Sequence, residues 1–245
     1  MAAVPSIDGL GGRDSESAVK RGLESGSAVH EQVYLRLRDA LITGGLAPGR
    51  ALSVRRLAAE FDVSAMPARE AIRRLEALGA LEFTATRRVM VATMTGEKLD
   101  EIKSARLALE PLLSEKSLEH VGRDPSSKKL LVRELERIDA ELDASIHRGD
   151  VGKYTQLNCD FHFALYRAAH ATVLLELVES LWLRFGPFMR VIIGRLGTSC
   201  LVDDWHKEII DAIKANDSKG LAKAVHRDIL HGMDNIDVSD LSESS

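Results

Sequence analysis

The sequence predicts a mainly α-helical protein, with an N-terminal winged helix-turn-helix followed by a C-terminal all-helical bundle. Of the 245 residues, 45% are hydrophobic but only 4% are aromatic, and the frequent Ala, Leu, Arg and Glu favour packed helices over sandwiches or barrels. Apolar residues recur at helical spacing along most of the chain. Two short apolar runs near residue 85 interrupt this pattern and are typical of a β-hairpin.

Charge and cysteine content exclude several classes of protein. The formal net charge is −4, too close to neutral for a chain that binds nucleic acid or a membrane surface over its whole area. The two cysteines, Cys159 and Cys200, cannot form a disulfide framework. No secretion signal and no stretch of roughly 20 apolar residues is present. We therefore expect a cytoplasmic protein without a membrane partner.

Composition divides the chain into four segments. Residues 1–28 and 237–245 have no sustained apolar period and are predicted to be flexible tails. From Glu31 to Thr95 the chain has ten arginines, no lysine and seven acidic residues, a net charge of +3 that leaves −7 for the remainder. A basic module, residues 29–95, and an acidic helical module, residues 96–236, are therefore expected to have different partners.

The basic module has the spacing of a helix-turn-helix. A helix over Val33 to Ile42 is followed by a short helix that Ser53 can cap and that runs to Glu60. Ser64 can cap a second helix running to about Leu78, and five of its apolar residues share an inner face: Ala68, Ala71, Ile72, Leu75 and Leu78. Its N-terminal half then presents outward Ala65, Met66, Arg69 and Arg73. In a recognition helix, that end reaches the base edges of DNA.

A basic hairpin is predicted after this helix. The runs Leu81 to Thr84 and Val89 to Ala92 flank Ala85-Thr86-Arg87-Arg88, as in the wing of a winged helix. The alternative is that these arginines are ordinary solvated surface on a small helical bundle. The hairpin and the charge break near residue 95 favour DNA binding.

The residues LAPGRALS from Leu46 to Ser53 and VSAMPAREAIRRLE from Val63 to Glu76 resemble the winged-helix domain of the GntR family of bacterial transcription regulators. This resemblance implies DNA contacts from Arg55, Ser64, Met66 and Arg69, and from Thr86 and Arg87 at the wing tip. The chain departs from the family pattern at Ala65, where Arg is usual, and at Arg88, where the wing usually has Gly. The operator preference of relatives therefore cannot be transferred to this chain.

About six helices are expected in the acidic module, with breaks at residues 122–125, 149, 170–171, 194–199 and 216–220. The first helix places Arg106 on its apolar stripe, with Leu99, Ile102, Leu109 and Leu113. Because an unpaired buried charge is costly, Arg106 requires an acceptor. The residue spacing leaves two choices open, an internal carboxylate such as Glu110 and a bound anion.

Three later helices each place a metal-competent residue among apolar ones. Asn158 and His162 share a face of one helix, His206 lies among isoleucines of the next, and Asp228 lies beside Ala224 and Val225. For any single histidine, the simpler interpretation is a hydrogen-bonded core imidazole. Their convergence favours a site, and nitrogen and oxygen donors without thiolate suit Zn, Ni or Mn.

The segments RLALE from Arg106, LNCDFHFALY from Leu157, DWHKEII from Asp204 and AVHRDI from Ala224 resemble the all-helical FCD domain of the FadR branch of the GntR family. This resemblance implies a divalent metal held by an Asp or Asn and three His, and a small carboxylate effector. Asn158, His162 and His206 match the metal-binding positions, and Asp228 stands at the last His position. Arg106 is then expected to face the effector carboxylate.

The leading hypothesis is a metabolite-responsive transcription regulator that binds operator DNA as a homodimer. One alternative keeps the regulator but gives it a metal-free pocket for an acyl-CoA or another ligand. A metal-dependent helical enzyme is the second alternative, and it is less favoured because no residue near the metal-competent side chains has the pattern of a general base.

Overall fold

The computed structural model describes residues 29–86, 88–196 and 205–234. Within these ranges a helical N-terminal unit with a small sheet is followed by a bundle of long helices, as the sequence predicts. The elements in chain order are α1 (29–42), β1 (Ala51–Leu52), α2 (Val54–Glu60), α3 (Ala65–Ala77), β2 (Leu81–Phe83), β3 (Val89–Val91), α4 (Gly96–Val121), α5 (Pro125–His147), α6 (Val151–Arg167), α7 (Thr172–Leu196), α8 (Trp205–Ala215) and α9 (Ser218–Asp234).

The predicted wing is present as an antiparallel hairpin of β2 and β3, with Leu81 opposite Val91 and Phe83 opposite Val89. Both strands end one residue earlier than predicted, before Thr84 and Ala92. The sequence did not predict β1, which pairs with β3 and completes a sheet of strand order β1-β3-β2. A strand of two residues carries no alternation that could be recognised in the sequence.

The recognition helix α3 buries Ala68, Ala71, Ile72 and Leu75 against the rest of the winged helix, as predicted. Ser53 caps α2 by accepting a hydrogen bond from the Arg56 amide. The predicted Ser64 cap of α3 is wrong in one respect, because Ser64 occupies the N-cap position without a side-chain capping bond. The third helical residue is Pro67, which has no N–H to donate to a capping oxygen.

In the acidic module, α4 packs on α7 and α9, while α5 packs on α6 and α8. The break predicted to begin at Gly194 is wrong, since α7 continues to Leu196, and residues 197–204 lie outside the described residues. The predicted tails, residues 1–28 and 237–245, also lie outside them. None of the described helices combines the length and the apolar character that crossing a membrane requires.

The last predicted break, residues 216–220, also extends too far, because α9 already begins at Ser218. Asp217 accepts a hydrogen bond from the Gly220 amide at 2.9 Å. A Cβ at position 220 would collide with the Asp217 carboxylate. Gly220 therefore belongs to the first turn of the helix, where its lack of a side chain makes room for the cap.

Candidate functional site

Two regions collect the side chains that the sequence singles out: the outer surface of the winged helix, and a buried polar cluster inside the helical bundle.

Exposed side chains on α3 form a stripe at helical spacing that comprises Met66, Arg69 and Arg73. Arg55 on α2 and Ser64 before α3 are exposed as well. Arg74 is different, because its guanidinium pairs with Glu31 at 2.6 Å and lies 3.6 Å from the centre of the Tyr34 ring. Since Glu31 and Tyr34 belong to α1, Arg74 holds the recognition helix against α1, a role that was not predicted from the sequence.

Threonine hydroxyls shape the turn of the wing. The Thr84 amide donates to the Arg88 carbonyl at 2.8 Å, and the Arg88 amide donates to the Thr84 hydroxyl at 3.0 Å. The Thr84 and Thr86 hydroxyls lie 3.0 Å apart. The turn is thus closed with Arg88 at the position where the resemblance led us to expect glycine. Thr86 and Arg88 are exposed, while Arg87 lies outside the described residues.

The buried cluster brings together His162 of α6, His206 of α8 and Asp228 of α9. Ligand atoms of the three side chains all lie within 4.8 Å of one another. His162 Nε2 is 3.2 Å from Asp228 Oδ2, and His206 Nε2 is 3.9 Å from Asp228 Oδ1. Both imidazoles are buried and the carboxylate is partly buried. Three of the four residues predicted as metal ligands therefore meet at one point.

A hydrogen-bond chain fixes the orientation of the His162 ring. The Tyr166 hydroxyl lies 2.7 Å from Glu110 Oε2 and 3.2 Å from His162 Nδ1. The carboxylate of Glu110, which is paired with Arg106, can only accept. The single hydroxyl proton of Tyr166 therefore goes to Glu110, and His162 Nδ1–H donates to the hydroxyl oxygen. With Nδ1 used in this way, the nitrogen that His162 can offer to a metal is Nε2, which lies against Asp228.

Asp139 of α5 and Phe161 of α6 support the second imidazole. His206 Nδ1 lies 3.7 Å from Asp139 Oδ1, and Phe161 stacks on the His206 ring with 4.1 Å between centroids. Asp139 is buried. A carboxylate behind a histidine is the arrangement that orients metal-bound imidazoles in many proteins.

Arg106 and Glu110, both buried on α4, form an ion pair next to the cluster. Glu110 accepts from Arg106 Nε at 2.5 Å and Nη2 at 3.2 Å, and also from Trp182 Nε1 at 3.1 Å. Arg106 Nη1 lies 3.6 Å from Met233 Sδ. Burial by itself lowers the pKa of Arg106, but Glu110 outweighs it and raises the pKa. Of the two acceptors that the sequence left open, the structure contains the carboxylate.

Electrostatics favours anionic and imidazole donors over thiolate in this region. Burial alone would raise the pKa of Asp228, but His162, His206 and Arg106 lower it to about 2. The thiol of Cys159, on the same helix as His162, is buried, which raises its pKa to about 12. Asp228 is therefore an anion at neutral pH, whereas Cys159 stays protonated and offers no thiolate to a metal.

Asn158, the fourth predicted ligand, lies one turn before His162 on α6 and is partly buried. Its amide Nδ2 contacts Met189 Sδ of α7 at 3.7 Å. Its role as a ligand stays a prediction. Tyr166, Asp139 and Trp182 are supporting residues that were not predicted from the sequence. The spacing of four residues between His162 and Tyr166 is the one signal that could have pointed to a supporting hydroxyl.

Comparison with known proteins matches the two regions to two family models. The model for the FCD domain matches residues 101–231, and the model for bacterial regulatory proteins of the gntR family matches residues 29–91. The chain belongs to the GntR family and carries an FCD domain. The resemblance seen in the sequence is thereby confirmed, and so is the combination of a winged helix-turn-helix with a helical domain.

Named relatives support the same assignment. The chain is 28% identical to the HTH-type transcriptional regulator McbR of Escherichia coli K12 over 192 residues, 77% of this chain and 84% of McbR. It is 30% identical to the uncharacterized regulator YdhC of Bacillus subtilis 168 over 158 residues, 64% of this chain and 68% of YdhC. It is also 27% identical to the gluconate operon transcriptional repressor of Bacillus subtilis 168 over 213 residues, 80% of each chain.

The solved structure of Escherichia coli McbR has the same fold, with a TM-score of 0.74 over 82% of this chain and 94% of McbR, at 26% identity. This GntR-family protein is thus a DNA-binding transcriptional regulator, and its family and relatives are not enzymes. Some FCD domains bind metals, and here the described residues contain one group of His and Asp side chains with suitable spacing.

Proposed function

We propose that this regulator senses a small carboxylate metabolite in the helical domain, through a divalent metal held by His162, His206 and Asp228. The observation that carries the proposal is the convergence of these three side chains, from three different helices, within 4.8 Å. The operator affinity of the winged helix is then the output that the metabolite modulates.

The donor set fits such an ion. Zinc binds imidazole nitrogen and carboxylate oxygen at about 2.0–2.2 Å, which separates neighbouring donors of a tetrahedral site by roughly 3.3 Å. Nε2 of His162 lies 3.2 Å from Asp228 Oδ2, and Nε2 of His206 lies 3.9 Å from Asp228 Oδ1. Two imidazoles and a carboxylate suit Zn, Ni or Mn, and Asn158 is proposed as a weaker fourth ligand. When bound, the ion would supply a positive charge that attracts the effector carboxylate.

Arg106 is the proposed second anchor of the effector. Two of its nitrogens are held by Glu110, whereas Nη1 faces the sulfur of Met233, which is a weak acceptor. An effector carboxylate would be a far better acceptor for Nη1. One relative is named the gluconate operon transcriptional repressor, and gluconate is itself a small carboxylate.

Added Zn, Ni or Mn should raise the melting temperature of protein that has first been treated with a chelator. A ligand that binds only the folded state stabilises it by about 2.7 kcal/mol at a concentration 100 times its Kd. The double variant His162→Ala/His206→Ala should lose this response, and differential scanning fluorimetry measures it.

A matched control is available in the same domain. His120 and His170 are exposed and their ring centroids lie 4.3 Å apart, so His120→Ala/His170→Ala removes an equal number of imidazoles and should leave the response unchanged. If metal stabilises the His162→Ala/His206→Ala variant as much as the wild type, the proposed site is wrong. A metal-free pocket for an acyl-CoA or another ligand then becomes the better hypothesis.

The DNA-contacting residues are proposed from the stripe on α3 and from its neighbours. Arg69 and Arg73 would read base edges in the major groove, and the wing tip would contact the phosphate backbone. The full proposed set is Arg55, Ser64, Met66, Arg69, Arg73, Thr86 and Arg87.

We expect the protein to be a homodimer in solution, because one small winged helix contacts too few base pairs for specific binding at cellular salt. The neighbouring helices α4 and α7 leave three large apolar side chains exposed: Leu112, Val173 and Leu177. Sedimentation velocity at micromolar concentration should give a dimer, and Val173→Glu/Leu177→Glu should shift it toward monomer. A wild-type monomer with full operator affinity would contradict this expectation.

A further inference from the structure

Helix α7 contacts the buried cluster region and the winged helix at the same time. Toward the cluster, Trp182 donates to Glu110, and Phe185 lies 4.9 Å from the Arg106 guanidinium. One turn further along, Met189 contacts Asn158. The side chains at positions 182, 185 and 189 follow helical spacing and therefore line one face of α7.

Toward the winged helix, Arg184 reaches the end of the recognition helix. Its Nε donates to the carbonyl of Leu78 at 2.8 Å, and Leu78 is the C-cap of α3. The guanidinium also covers Gly79, where a Cβ would lie 3.0 Å from Arg184 Nε. A cation that donates to the last carbonyls of a helix is favoured by the helix dipole. Arg184, which belongs to the helical domain, thus binds the C-cap residue of α3 in the winged helix.

Two further contacts hold the winged helix against α7. Gly186 packs on the last turn of α1 so closely that a Cβ there would lie 2.6 Å from the Leu41 carbonyl oxygen and would also collide with the Ile42 carbonyl. Arg38 Nη1 of α1 lies 3.6 Å from Glu179 Oε1. The backbone contact at Gly186 resists gradual displacement, because no side chain lies between α7 and α1 at this point that could adjust.

We propose that α7 transmits the state of the Arg106–Glu110 pair to the recognition helix, and that Arg184 is the positioning residue at which α3 receives it. This inference rests on the proposed function for the identity of the signal. A carboxylate bound at Arg106 Nη1 would share the positive charge of the guanidinium with Glu110, and a metal bound at His162 Nε2 would act on Glu110 through the Tyr166 hydroxyl. Either event would change the Glu110 carboxylate that accepts from Trp182, and the position of α7 would change with it. Because Arg184 is part of α7, its contact with the end of α3 would change as well.

Hydrogen exchange in the full-length protein without any ligand tests the inference. The amides to follow are those of Gly79 and Ala80, which donate to the carbonyls of Glu76 and Leu75 at the end of α3. Trp182→Phe should change exchange at these two amides several-fold, because it removes the bond to Glu110. Arg184→Ala should make them exchange faster. In the Arg184→Ala background, Trp182→Phe should no longer have an effect, since the connection is already broken.

Two variants control for general destabilisation. Arg184→Lys keeps a cationic donor for the Leu78 carbonyl and should restore the response to Trp182→Phe. Arg137→Ala removes an exposed arginine that pairs with Glu134 within α5 and should leave the response intact. If Trp182→Phe prevents folding, Phe185→Leu replaces it. Independent, multiplicative effects of Trp182→Phe and Arg184→Ala would overturn the inference.

A second experiment, in which only Zn is added, distinguishes the proposed metal site from the proposed transmission through Arg184. We expect Zn to alter exchange at Gly79 and Ala80 in the wild type but not in Arg184→Ala, while stabilising both proteins to heat. If Zn does not stabilise the wild type, the proposed metal site is wrong. Transmission from α7 to α3 is then decided by Trp182→Phe, Arg184→Ala and their combination alone. Stabilisation of both proteins with identical exchange responses would overturn the role of Arg184.

Discussion

Replacing Glu110 by Ala should destabilise the helical domain by about 3–5 kcal/mol, the usual cost of leaving a buried charge without its partner. Glu110 has no exposed surface and accepts hydrogen bonds from Arg106, Tyr166 and Trp182. Removing its carboxylate leaves the buried Arg106 guanidinium without the carboxylate with which it pairs. Urea unfolding followed by tryptophan fluorescence measures the loss, since both tryptophans, Trp182 and Trp205, belong to this domain.

The matched control is an ion pair on the surface. Arg137 and Glu134 lie 2.7 Å apart and are both about half exposed, so Glu134→Ala should cost less than about 1 kcal/mol. Glu110→Leu combined with Arg106→Met should recover much of the lost stability, because apolar replacements remove both charges together. If Glu110→Ala costs no more than Glu134→Ala, the prediction is wrong and the Arg106–Glu110 pair stabilises the domain no more than an exposed pair does.

Replacing Arg69 by Ala should weaken binding to a specific duplex by about 1–3 kcal/mol, or roughly 5- to 150-fold, because a bidentate arginine–guanine contact is worth that much. Arg69 is exposed in the N-terminal half of α3, where a recognition helix reaches base edges. The duplex can be selected from a random pool with the wild-type protein, and fluorescence anisotropy gives the affinities. Binding to unrelated duplexes should change less than binding to the selected one.

Arg133→Ala is the control for Arg69→Ala, since Arg133 is an exposed arginine on α5 of the other domain and its loss changes the net charge equally. Arg87→Ala should instead weaken all duplexes alike and reduce the slope of log affinity against log salt by about one, as expected for a phosphate contact. Equal affinity of the wild type and Arg69→Ala for the selected duplex would contradict the assignment.

Elements with local signals could be predicted from the sequence. Helical spacing of apolar residues located the recognition helix and its inner face, and the apolar runs on either side of residues 85–88 located the wing. Glycine and proline marked the ends of α4 and α5. Such signals depend on contacts within one or two turns, or between adjacent strands, so they can be recognised in a short stretch of sequence.

Contacts between distant parts of the chain depend on how the helices pack together. Convergence of His162, His206 and Asp228 was predicted from their apolar settings on three helices and from family positions, but their distances depend on how these helices pack. Glu110 accepts hydrogen bonds from Tyr166 and Trp182, which are 56 and 72 residues away in sequence. Arg184 donates to Leu78, which is 106 residues away. Periodicity indicates which face of a helix is buried but not which residue of another helix it meets, because the same apolar stripe packs equally well at several rotations and registers.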